Sequence, residues 1–209
     1  GRNILVGALG RGGNGLYALD VTDPNAFGSG ATPGRNRVLW DQTWTTDVTT
    51  SSWSSTADDV RDMGKVLGAP ILHRTNDGKF SVIVANGVDS ESGVAALYVI
   101  DAETGSITRR ISIPNATGVT NNGLMNIRGL DVDGNGTLDV VYGGDLQGNI
   151  WKFGLGGASS GWEVAYKLIQ AVKDGVPQPI TGGLSIAYDP ATYAPYVVFG
   201  TGSLLYDAD

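Results

Sequence analysis

One phrase recurs four times along this chain and constrains the fold more than any other feature. A β-branched run reaches a glycine-containing turn, and a second short strand follows that carries an aromatic residue. The copies are Ile4-Leu5-Val6-Gly7 with Gly15-Leu16-Tyr17-Ala18-Leu19-Asp20, and Val82-Ile83-Val84-Ala85-Asn86-Gly87 with Ala96-Leu97-Tyr98-Val99-Ile100-Asp101. Then come Val140-Val141-Tyr142-Gly143-Gly144 with Gly148-Asn149-Ile150-Trp151-Lys152-Phe153, and Val197-Val198-Phe199-Gly200-Thr201-Gly202 with Leu204-Leu205-Tyr206-Asp207. Measured at Tyr17, Tyr98, Trp151 and Tyr206, the spacings are 81, 53 and 55 residues. The last two suit a β-propeller blade, whose four short strands take roughly 40 to 50 residues. The first gap is longer, and its surplus matches the Thr/Ser/Trp-rich stretch 41–62, which reads as an inserted loop. Within that stretch, Ser55 to Arg61 reads as one helical turn capped by Ser55.

Strands of four to six residues cannot bury a face alone, so successive sheets must pack against one another. The predicted fold is therefore all-β: a partial propeller of about four recognisable blade units, with residues 1–209 forming part of a single propeller domain. Four blades leave open faces, and both ends read as cuts through a longer protein. Composition agrees. Glycine accounts for 32 of 209 residues, about twice its usual share, and it is spread among the apolar runs as turns are.

The net charge of −7 argues against nucleic acid as a partner, because nothing here neutralises a run of phosphates. The absence of cysteine excludes disulfide and thiolate chemistry. No apolar stretch reaches the 18 or so residues of a membrane span.

The sharpest chemistry lies at Asp131-Val132-Asp133-Gly134-Asn135-Gly136-Thr137-Leu138-Asp139. Asp131, Asp133, Asn135 and Asp139 put side-chain oxygens at loop positions 1, 3, 5 and 9. Thr137 stands at position 7, where a backbone carbonyl serves, and Gly136 at position 6, where the loop turns sharply. Calcium takes six to eight hard oxygen ligands, and this alternation supplies them from one segment. Three carboxylates this close repel one another without a cation. The EF-hand itself is excluded: position 12 is Tyr142 rather than glutamate, and the flanks are β-prone. Magnesium fits less well, because it prefers octahedral geometry and keeps several waters. The bland alternative is a polar hairpin turn, since Asp, Asn and Gly also dominate turns.

Other motifs carry less. Asp101-Ala102-Glu103-Thr104-Gly105 resembles the strand-linking turn of quinoprotein blades, but Asp101 and Thr104 are better read as tying the turn to its own backbone. Asp89-Ser90-Glu91-Ser92-Gly93 reads as an exposed acidic loop. Gly10 to Gly15 lies between two strands rather than before a helix, so it is a hairpin loop and not a phosphate cradle. His73 is alone, and no catalytic motif accompanies it, so no enzymatic activity is expected. Trp40, Trp44 and Trp53 read as core or covering flap, with a sugar or protein contact surface as the alternative.

The order of these motifs is similar to that of the PilY1/PilC family of type IV pilus tip proteins. Gly7 to Pro24 resembles the opening of that family's C-terminal propeller, and Gly68-Ala69-Pro70-Ile71 leading to Asn86-Gly87 and Tyr98 to Asp101 follows it. Asp131 to Asp139 running into Tyr142-Gly143-Gly144-Asp145 and Gly148 to Phe153 is the best match. The resemblance implies a calcium ion held by Asp131, Asp133, Asn135, Thr137 and Asp139. The family pattern often has Asn at the third position and Asp at the fifth, the reverse of Asp133 and Asn135. It further implies pilus assembly, control of retraction, adhesion and twitching. Minor pilins or other tip components would be partners, with a host or abiotic surface as a further contact and an extracellular, pilus-tip location. Two rivals stand beside it: an integrin-like calcium propeller, which should repeat the loop in successive blades, and a quinoprotein-like dehydrogenase fragment.

Overall fold

The computed structural model describes residues 1–27, 37–44 and 57–203. Among them lie fifteen strands, and every pairing between strands is antiparallel. The first sheet is β1 (Ile4–Ala8), β2 (Asn14–Asp20) and β3 (Val38–Trp44) in that order. The second is the meander β4 (Ile71–Arg74), β5 (Phe80–Ala85), β6 (Ala95–Asp101) and β7 (Ile107–Ile113). The third repeats it with β8 (Leu124–Leu130), β9 (Val140–Asp145), β10 (Asn149–Gly154) and β11 (Glu163–Gln170). Two short hairpins follow, β12 (Val172–Lys173) with β13 (Val176–Pro177), and β14 (Ser185–Tyr188) with β15 (Pro195–Val198). Consecutive meanders packed face to face are propeller blades, and among the described residues the sheets do not close into a ring.

The apolar runs follow from burial on both faces. Along β5 and β6, alternate side chains enter different cores. Val82, Val84, Ala96, Tyr98 and Ile100 pack with Leu16, Ala18 and Trp40 of the first blade. Ile83, Ala85, Leu97 and Val99 pack with Leu124, Val141, Phe153 and Trp162 of the third. The third blade does the same, with Val140, Tyr142 and Ile150 turned toward Ile180 and Leu184. A strand with period two and two apolar faces reads as continuously hydrophobic.

The recurring phrase maps onto two strands of each blade. Gly7 faces Tyr17, Val84 faces Tyr98 and Gly143 faces Trp151, so in the two four-stranded blades the phrase is the second strand, the turn and the third strand. Adjacent blades are also stitched by backbone: Gly87 N–H donates to Leu124 at 2.8 Å, Leu138 N–H to Arg74 at 2.9 Å and Ile180 N–H to Asp145 at 3.0 Å. Buried Asn86 reinforces the first seam, its Oδ1 accepting Ala96 N–H at 2.9 Å and Leu124 N–H at 3.0 Å. Gly144 is glycine because Ile180 of the next blade presses on it: a Cβ there would lie 2.6 Å from Ile180 Cγ2.

Of the expected insertion 41–62, residues 41–44 complete β3, and Ala57–Asp62 form the short helix α1. The residues between lie outside the described ones, as do the proposed cap Ser55, Trp53 and the fourth copy's Leu204 to Asp207. Helix α1 is pinned to the second blade by Tyr98, whose hydroxyl donates to Asp59 O at 2.6 Å, and by Arg110, whose Nε reaches Asp59 Oδ1 at 3.1 Å. Burial holds the Tyr98 phenol well above its ordinary pKa.

Candidate metal site

The nine residues from Asp131 to Asp139 are the connection between β8 and β9. Leu130 pairs with Val140 on either side of it, so the loop closes a hairpin rather than linking two helices. Gly134 and Gly136 adopt φ values of 75° and 84°. A side chain is strained in that left-handed region, and the two glycines let the loop curl on itself. The curl brings Asp131, Asp133 and Asp139 together, with one carboxylate oxygen of each within 4.8 Å of the others.

Backbone N–H groups hold the first carboxylate in place. Asp131 Oδ1 accepts from Gly134 at 2.8 Å and Asn135 at 3.2 Å, and its Oδ2 accepts from Gly136 at 2.8 Å. The Gly136 bond above all, with those from Gly134 and Asn135, keeps Asp131 below the ordinary carboxylate pKa. Asp139 Oδ2 accepts from Val132 N–H at 2.8 Å. Asn135 joins through its Nδ2, 2.9 Å from Asp133 Oδ2. Thr137 is tied in through its N–H, 2.8 Å from Asn135 Oδ1, and its hydroxyl is engaged with Asn135 and with Asn76. All five residues expected at the site therefore sit in one loop, three as clustered carboxylates and two bound to them in series. The donors offered are hard oxygens without nitrogen or sulfur, the set that suits calcium.

The site has a sixth member that local spacing could not reveal. Asn76, in the β4–β5 turn of the preceding blade, donates from Nδ2 to Asp139 Oδ1 and Leu138 O, both at 3.0 Å, and to Leu155 O at 3.2 Å. Its Oδ1 accepts the Thr137 hydroxyl at 3.1 Å. Asn76 and Asp139 are 63 residues apart, and the only sequence trace was the polar turn Thr75-Asn76-Asp77-Gly78.

The remaining candidates resolve simply. Asp101 Oδ1 accepts the N–H groups of Glu103 and Thr104 at 3.0 and 3.1 Å, so the Asp-x-x-Thr-Gly turn ties itself. Burial would raise the Asp101 pKa, but the Thr104 N–H, Lys79 and the Glu103 N–H outweigh it and the pKa falls. Asp89 pairs with Lys65 at 2.8 Å and Glu91 with Arg61 at 3.0 Å. Trp40 is core, its Nε1 donating to Ala102 O at 2.9 Å. The His73 ring meets the neighbouring Arg74 carbonyl at 3.0 Å. Among the described residues no helix is long and apolar enough to cross a membrane.

Comparison with known proteins bears on the fold and the family. The family model of the PilY1 beta-propeller domain matches residues 2–209. A type IV pilus biogenesis factor PilY1 homolog of Xylella fastidiosa is 36% identical over 220 residues, covering 96% of this chain and 14% of that protein. The type IV pilus biogenesis factor PilY1 of Pseudomonas aeruginosa strain PAO1 is 34% identical over 227 residues, covering 99% of this chain and 18% of that protein. The chain thus spans less than a fifth of the length of these relatives. The crystal structure of the Pseudomonas aeruginosa PilY1 C-terminal domain superposes with a TM-score of 0.79 at 34% identity, over 97% of this chain and 41% of that one.

Proposed function

The chain belongs to the PilY1 β-propeller family, and from that premise we propose that it is a non-enzymatic, calcium-braced propeller segment acting in type IV pilus biogenesis. The observation that carries the calcium reading is the convergence of Asp131, Asp133 and Asp139. Asn135 and the Thr137 backbone carbonyl complete the ligand set. Bound there, calcium supplies the positive charge that offsets three neighbouring carboxylates and fixes the β8–β9 loop.

Because Asn76 links the loop to the preceding blade, ordering the loop also orders a seam between blades. A surface resting on that seam would respond to calcium, which gives the ion a role in pilus assembly, retraction control and adhesion. The partners in this reading are minor pilins or other tip components, and the place is the pilus tip at the cell surface. The integrin-like rival is disfavoured because it should repeat the loop in successive blades. The β4–β5 turn, at the seam itself, carries Asn76 and Asp77 without the nine-residue pattern.

The test is calorimetric titration of chelator-stripped protein with calcium, run beside Asp133→Asn and Asp139→Ala. One site present in the parent and lost in both variants supports the assignment. Absence of heat together with absence of thermal stabilisation by calcium would reduce the loop to a polar turn. Calcium-dependent retention of minor pilins then separates the biogenesis role from a purely structural ion.

A further inference from the structure

Asparagine followed by glycine readily loses its side-chain amide, because the missing Cβ leaves the next backbone nitrogen free to attack the carboxamide. The chain contains four such pairs: Asn14-Gly15, Asn86-Gly87, Asn122-Gly123 and Asn135-Gly136. The attack closes a five-membered ring, so the peptide plane needs room to turn and water must reach the product.

The fold shields three of the four. Asn14-Gly15 runs in β2 with Gly15 buried, where a Cβ would lie 2.7 Å from Gln42 O. Asn86 is fully buried, its Nδ2 held by the carbonyls of Asp62 and Val94 and its Oδ1 by the N–H groups of Ala96 and Leu124. Asn122 is buried too, with Nδ2 on Asp145 and Oδ1 accepting Gly123 N–H at 2.9 Å and Leu146 N–H at 3.2 Å. Backbone crowds the glycines of both pairs: a Cβ would lie 1.9 Å from Lys65 O at Gly87 and 2.0 Å from Gly87 O at Gly123.

Asn135 and Gly136 are both exposed, and the space beside Gly136 is open. The groups such a reaction uses stand around them. Gly136 N–H donates to Asp131 Oδ2 at 2.8 Å, so the attacking nitrogen faces a carboxylate able to take its proton. Asn135 Oδ1 accepts the Thr137 N–H at 2.8 Å and the Thr137 hydroxyl, two donors aimed at the oxygen on which negative charge develops. Neighbouring Asp133-Gly134 is equally open but has no amide to release.

We propose that Asn135-Gly136 is a site of spontaneous deamidation, selected by the fold from four identical dipeptides and assisted by Asp131. Gly136 N bonds to Asn135 Cγ while its proton passes through Asp131 to the departing Nδ2. The Cγ–Nδ2 bond breaks, ammonia leaves and a succinimide remains. Water then opens the ring to aspartate or isoaspartate. Aspartate sets a fourth carboxylate in the loop. Isoaspartate lengthens the backbone by one methylene between loop positions 5 and 6 and moves Thr137 and Asp139 out of their spacing. On the calcium reading, on which this consequence alone rests, a loop left without the ion loses the spacing that binds it.

The test is peptide mapping by mass spectrometry of the full chain aged in chelator at mildly alkaline pH, folded and in urea. In urea the four pairs should react at similar rates. In the folded chain Asn135 should lose its amide at least about tenfold faster than the other three, which react only through local opening. Asp131→Asn removes the proton acceptor and should slow the loss at least about tenfold. The proposal is overturned if folded Asn135 keeps its amide while urea-treated chains lose theirs, or if the buried pairs react as fast. It is equally overturned if Asp131→Asn reacts as fast as the parent or faster. Added calcium should slow the reaction at Asn135; an unchanged rate there would keep the modification and remove the ion from the loop.

Discussion

Asn76 of one blade donates to Asp139 of the next across 3.0 Å, and the same amide holds the carbonyls of Leu138 and Leu155. The acidic loop is thus a joint between blades as well as a turn within one. Asn76→Ala leaves those acceptors short of a donor, and a loss of about 1–3 kcal/mol is expected by urea denaturation. Asn76→Asp is the sharper variant, because it sets a fourth carboxylate against Asp139. It should melt lower than Asn76→Ala in chelator and recover more when calcium is added, whereas an equal response of the two variants would sever the joint from the ion.

Glycines with the same φ should respond differently. Gly87 and Gly134 both have φ of 75°. A Cβ on Gly87 would sit 1.9 Å from Lys65 O, whereas Gly134 faces open space. Gly134→Ala is expected to cost about 1–2 kcal/mol, the backbone penalty alone. Gly87→Ala must also move a backbone carbonyl and should cost at least about 3 kcal/mol or prevent folding. Equal urea midpoints for the two would refute this distinction.

Asp145 is expected to be among the least replaceable residues. Its carboxylate is fully buried and organises Asn122, Gln147, Asn149 and Trp151. Asp145→Asn substitutes an N–H for an acceptor and confronts donors with a donor. A destabilisation of about 3 kcal/mol or more is expected, with red-shifted Trp151 fluorescence as the indole loses its anchor.

Acid should weaken the fold where carboxylates held below their ordinary pKa become protonated. Asp131 has a lowered pKa, chiefly from the Gly136 N–H, and Asp189 likewise, chiefly from Thr192 N–H and then Ala191 N–H. A depressed carboxylate stabilises the fold fully above its unfolded pKa of about 3.9, and the contribution disappears as pH falls through the lower folded value. Stability should therefore be flat from neutral pH to about 5 and decline below about 4. Calcium binding should weaken over the same range, because protonated carboxylates are poor ligands. A melting temperature that rises below pH 4 would contradict this.

Much of the architecture is written locally. Tyr17, Tyr98 and Trp151 mark equivalent strands because each blade repeats one pattern of short strand, glycine turn and short strand. The acidic loop was equally legible, since its residues lie within nine positions and the glycines that curl it stand among them. The polar Asp101 turn was readable for the same reason, its bonds spanning two and three residues.

Contacts between blades were not legible. No periodicity announces that Val84 and Leu97 enter different cores, because a strand buried on both faces loses its alternation of polar and apolar residues. The expected insertion began inside β3, where Thr- and Trp-rich sequence is also good strand sequence.

By itself, then, the sequence determined the blade repeat, the turn chemistry and the clustered carboxylates of the acidic loop, all set by backbone preferences and spacing over a few residues. Only the tertiary structure decided that Asn76 joins Asp139, that Asp145 gathers the side chains of Asn122, Asn149 and Trp151, and that Asn115 and Asn149 flank one cleft. Those partners are brought together by blade stacking, which depends on burial summed over whole sheets and leaves no local mark at the residues it joins.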